Sequence, residues 1–68
     1  MQKWEYLSTY FESGNPWRLV WVNGEQLPDK HVRPSRAEYL TRVGDEGWEL
    51  VAIAGEAANH FVFKRPKP

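Results

Sequence analysis

The chain has no cysteine among its 68 residues. That excludes a disulfide framework and every thiolate metal site, and it leaves the redox compartment unconstrained by composition. The chain also has no excess of either charge, since nine Lys/Arg balance nine Asp/Glu. The first 34 residues carry four of each sign and the last 34 carry five of each. Nothing in this balance would draw a polyanion or an acidic membrane. No apolar run approaches the roughly 20 residues needed to span a bilayer. Met1 to Glu5 reaches an acidic side chain without the apolar core of a secretory leader. The expected compartment is therefore the cytosol, with no membrane partner.

Residues suited to catalysis are scarce. The two histidines, His31 and His60, have no neighbours at zinc-ligand spacing and no nucleophile beside them. His31 lies in a Pro-flanked loop near Asp29, and His60 opens a strand. Both are expected to be structural or ordinary surface residues. Asp45, Glu46 and Glu49 place three carboxylates close together. A hydrolytic pair needs two acids held across a substrate with separated pKa values. These acids instead flank a helix end, where the macrodipole favours solvent exposure. Glu49 is expected to pair with Lys64 or Arg65 across a hairpin. The glycines form no phosphate-cradling motif. The expectation is a non-enzyme with no catalytic residue, no cofactor and no metal.

What the sequence does have is aromatic bulk: four Trp, three Tyr and three Phe. A domain this short hides only about 60% of its extended-chain surface on folding, so its core depends on large side chains or on self-association. Residues 3–11 alternate as a strand, with Trp4, Tyr6, Ser8 and Tyr10 on one face and Glu5, Leu7, Thr9 and Phe11 on the other. After a Gly-Asn-Pro turn, residues 17–22 form a second strand. Here alternation puts Trp17, Leu19 and Trp21 on one side and Arg18, Val20 and Val22 on the other. Asn23-Gly24 is the signature of a type I′ hairpin turn, followed by a short strand over 25–27 that Pro28 stops.

Ser35 and Glu38 have the spacing of a capping box, in which the hydroxyl receives a helix N–H and the carboxylate returns to the cap amide. Ala37, Leu40 and Val43 recur at helical spacing, and Gly47 is the expected stop. Gly44 lies inside this helix, where close approach to the sheet would explain it. Residues 48–54 and 60–65 complete the sheet, with Phe61 and Phe63 sharing the core face. Leu40, Val43, Trp48 and Leu50 are expected to cluster with them. The reading is one α+β domain over residues 1–68. It has a mainly antiparallel sheet of four strands plus a short extra strand, and one helix packed on one face, in the order β-β-(β)-α-β-β.

Gly44-Asp45-Glu46-Gly47-Trp48-Glu49-Leu50-Val51, the closing Phe61-Val62-Phe63-Lys64-Arg65-Pro66 and the opening Trp4-Glu5-Tyr6 resemble the small-domain family DUF4177 over residues 2–66. The 12–34 region, with Trp17, Trp21 and the Asn-Gly turn, departs from the family's commoner members. The resemblance implies an α+β fold and brings no catalytic residue.

Two surfaces are candidates for function. Apolar residues on both sides of the second strand make Trp17, Val20, Trp21 and Val22 a candidate interface, because one helix cannot cover both faces of the sheet. The favoured partner is a second copy, as a homodimer or a higher closed oligomer, with another protein as a further possibility. The competing reading is a monomer whose aromatic cluster is wrapped by the 23–34 connector. Lys64, Arg65 and Lys67 form a candidate basic patch near Phe61 and Phe63. It would serve a ligand- or single-stranded nucleic-acid-binding module, although the balanced charge makes nucleic acid the less favoured partner.

Overall fold

The computed structural model describes residues 1–28 and 33–68; Asp29 and His31 lie outside the described residues. Five strands and one helix follow one another: β1 (Trp4–Glu12), β2 (Arg18–Val22), β3 (Glu25–Gln26), α1 (Arg36–Asp45), β4 (Glu49–Ala54) and β5 (His60–Pro66). The strands form one antiparallel sheet in the order β3-β2-β1-β5-β4. The expected fold class is therefore observed. The first and last long strands, β1 and β5, pair along seven residues at the centre. The β3–α1–β4 connection carries the chain from one edge of the sheet to the other.

Local chemistry explains the element ends. Asn23 and Gly24 both take positive φ (50° and 85°), as a type I′ turn requires. The Asn23 side-chain oxygen also receives the Ser8 amide at 2.9 Å. At the helix start the Ser35 hydroxyl oxygen accepts the Glu38 amide at 3.2 Å. The second half of the capping box differs from expectation, because the Ser35 hydroxyl donates to the Glu38 carboxylate at 3.1 Å. The helix ends in a Schellman arrangement. Gly47 has φ 88°, its amide donates to the Gly44 carbonyl, and the Trp48 amide donates to the Val43 carbonyl, both at 3.0 Å.

The core is built from Leu7, Phe11, Leu19, Tyr39, Val43, Phe61 and Phe63. Phe11 meets Phe61 and Tyr39 edge to face at 5.1 and 6.1 Å. Thr9 is fully buried, and its hydroxyl donates to the Phe61 carbonyl at 2.8 Å. Leu40 and Trp48 are half-buried and pack against this core as expected, and Tyr39 and Val43 are the buried residues of the helix. Three expectations change here. Leu50 is exposed instead of joining the phenylalanines. Gly44 approaches nothing, because a Cβ there would meet open space. The alternation of β2 and β4 fails, because each strand carries a register shift.

In β2, Tyr10 faces Trp21 and Phe11 faces Leu19, so Val20 is the inserted residue. Leu19 therefore lies on the helix side and Trp21 on the helix-free side. In β4, Leu50 pairs with Phe63 and Ala52 with Val62, so Val51 is the inserted residue. Leu50 and Ile53 thus share the helix side with Phe63 and Phe61, three positions apart.

Candidate functional site

The helix-free face of the sheet carries Trp4, Tyr6 and Tyr10 of β1 and Trp21 of β2, all exposed. Period-two alternation along β1 puts its three aromatics there, and the β2 bulge adds Trp21 beside Tyr10. His60 lies in the same layer. Its ring stacks on Tyr10 at 4.1 Å and 9°, and its Nε2 is 2.8 Å from the Ser8 hydroxyl. His60 is therefore a partner in a cross-strand stack, with no carboxylate hydrogen-bonded to it among the described residues.

The residues expected to act together are divided by the fold. Of the candidate interface, Trp17 and Val22 are half-buried against the core, Val20 is half-buried at the bulge, and only Trp21 is exposed. The Trp17 ring is covered by the Arg36 guanidinium at 4.7 Å. The basic patch is divided too. Lys64 lies over the Trp4 ring at 4.2 Å, on the helix-free face. Arg65 lies on the other face, where it pairs with Glu5, stacks on Trp48 at 4.2 Å and donates to the Glu46 carbonyl at 2.9 Å. Lys67 is in the exposed tail, its amide bonded to the Lys3 carbonyl. Glu49 is in register with Lys64, but the expected ion pair is not formed among the described residues: the Lys64 ammonium lies over Trp4, and Arg65 takes Glu5.

A groove of about 820 Å³ opens at the end of the sheet near Tyr10, Trp17, Trp21, Glu12 and Arg33. Arg33 was not singled out by sequence. It is buried, and it donates to the Leu27 carbonyl through Nε and an Nη at 3.2 and 2.7 Å, which ties the ends of the connector together. Its distance to the Glu12 carboxylate is 3.9 Å. No local pattern marks an arginine for this role, because its partner is a backbone carbonyl. Among the described residues, no cluster of three or more His, Cys, Asp or Glu could hold a metal, and no helix is long and apolar enough to cross a membrane.

The most exposed apolar element is β4. Every residue of Glu49–Ala54 is exposed, with Leu50, Val51 and Ile53 at 45, 44 and 51%. Helix α1 leaves this edge bare because it packs towards β2. Its first amide donates to the Trp17 carbonyl at 2.8 Å, and Tyr39 rests on Phe11. Sequence reasoning placed Leu50 in the core and so missed this strand as a surface. The signal was present in the run Leu50-Val51-Ala52-Ile53-Ala54, which has no charge to keep one side in water.

No family model, curated protein or solved structure matches the chain. The resemblance to DUF4177 therefore carries no part of the functional reading.

Proposed function

We propose that the protein is a small, non-catalytic interaction module that works as a homo-oligomer, in the cytosol. The observation that carries this reading is β4, an edge strand with three large aliphatic side chains open to solvent. Exposed apolar surface of this kind favours association over isolation. Sedimentation equilibrium tests the proposal. The expected mass is a closed multiple of 8.0 kDa that falls on dilution. A single species of monomer mass at high micromolar concentration would overturn it.

A second reading has its own support: the four exposed aromatics of the helix-free face could stack planar ligands or nucleic-acid bases. It is the weaker of the two because the basic residues that would hold a phosphate backbone are dispersed over two faces and a tail. Tryptophan fluorescence titrated with a thymidine oligonucleotide at low salt checks it, and this account predicts no saturable change.

A further inference from the structure

Resting on the homo-oligomer reading, we propose that β4 is the seam. Two copies would join their β4 strands antiparallel across a two-fold axis, fusing two five-stranded sheets into one.

The sheet has two edges, and they are built differently. The β3 edge is two residues long, Glu25 and Gln26, both polar and exposed. Beyond β3, the free side of β2 is closed by backbone. The Leu19 amide donates to the Pro34 carbonyl at 3.0 Å, the Leu27 amide to the Val20 carbonyl at 2.7 Å, and the Arg36 amide to the Trp17 carbonyl at 2.8 Å. The β4 edge has six residues, and among the described residues no backbone hydrogen bond outside its ladder with β5 reaches Leu50 to Ala54. An edge with free N–H and C=O groups and no lysine or proline along it is a template for another strand. A short charged edge cannot receive it, so head-to-tail growth through β3 is disfavoured. The one long apolar edge available to β4 is the β4 of a second copy, which gives a closed two-fold pair.

Charge and shape select the orientation. Glu49 is the only ionisable residue of β4. Parallel pairing would set the two Glu49 carboxylates side by side. Antiparallel pairing sends them to opposite ends of the seam, each beside the partner's Ala54. The register that does this also sets Leu50 opposite the partner's Ile53, and Ile53 opposite the partner's Leu50. Cross-strand partners share a face, and both residues already lie on the helix side through their pairing with Phe63 and Phe61. The four side chains would close into an aliphatic cluster continuous with the phenylalanine core. The bulge at Val51 makes this possible, since it brings Leu50 and Ile53 to one face.

Two variants test the seam. Ile53→Lys introduces a charge at an exposed position, so the fold is retained, as circular dichroism would verify. It should weaken association by about 30-fold or more, the loss typical of one hot-spot residue. Ala52→Cys places one thiol in a chain that has no other, near the two-fold axis. Mild oxidation with glutathione disulfide should give a covalent dimer, whereas Ala37→Cys on the exposed helix surface should not. An oligomer that survives Ile53→Lys, gives no covalent dimer through Ala52→Cys and dissociates with Trp21→Lys would overturn the seam and leave the homo-oligomer reading standing. A wild-type chain that is monomeric would overturn both.

Discussion

Several single side chains have roles that substitution can separate. Ser35 receives a helix amide that would otherwise have no partner, so Ser35→Ala should cost about 0.5–2 kcal/mol in denaturant melts. Gly44 has the opposite character. It sits mid-helix with open space where its Cβ would be, so Gly44→Ala should stabilise by about 0.5–1 kcal/mol. Tyr39 introduces a pH dependence. Burial, and then the nearby Glu46 carboxylate, raise its pKa above the ordinary 10.0, with Arg42 acting in the other direction. A phenol with a raised folded pKa binds its proton more tightly in the native state. Its stabilising effect is intact below the unfolded value and is lost as pH climbs from about 10 through the folded value. Thermal melts of wild type should thus decline more steeply above pH 10 than those of Tyr39→Phe, with little difference at pH 7.

At the scale of elements, β2 holds the helix to the sheet. Leu19 is its fully buried residue, and Leu19→Ala should destabilise by about 2–5 kcal/mol in chemical denaturation. Trp21→Ala should cost much less, because Trp21 stands in solvent on the other face. That contrast is where sequence and structure part. Elements governed by local chemistry were legible: the Asn23-Gly24 turn, the Ser35 cap, the Gly47 stop and the alternation of β1 and β5. Each depends on residues within a few positions of one another. The bulges at Val20 and Val51 were not legible, because an inserted valine looks like any other strand valine. One inserted residue turns the rest of its strand over, so Trp17 and Trp21 separated and Leu50 joined Ile53. The exposure of β4 was hidden for another reason: it follows from where the helix lies across the sheet, a non-local outcome. The candidate site was legible in part, since Trp21 was named and the apolar excess was recognised, but the strand that carries most of that excess was assigned to the core.

For the whole molecule, the shape of the problem is a sheet wider than its single helix. The helix seals the β2, β1 and β5 region, while β4 projects beyond it with aliphatic side chains in water. An 8.0 kDa chain without disulfides has little stability to spare, and covering this edge would add to it. The unfolding midpoint should therefore rise with protein concentration, because the assembled state is drained by dilution. The most direct test of the central claim is residue-resolved amide hydrogen exchange of β4 at two concentrations, tenfold above and tenfold below the sedimentation midpoint. The account predicts that amides among residues 50–54 which exchange freely in the dilute sample become protected in the concentrated one, while the β1 and β5 amides are protected in both. Exchange across β4 that is identical at the two concentrations would contradict it.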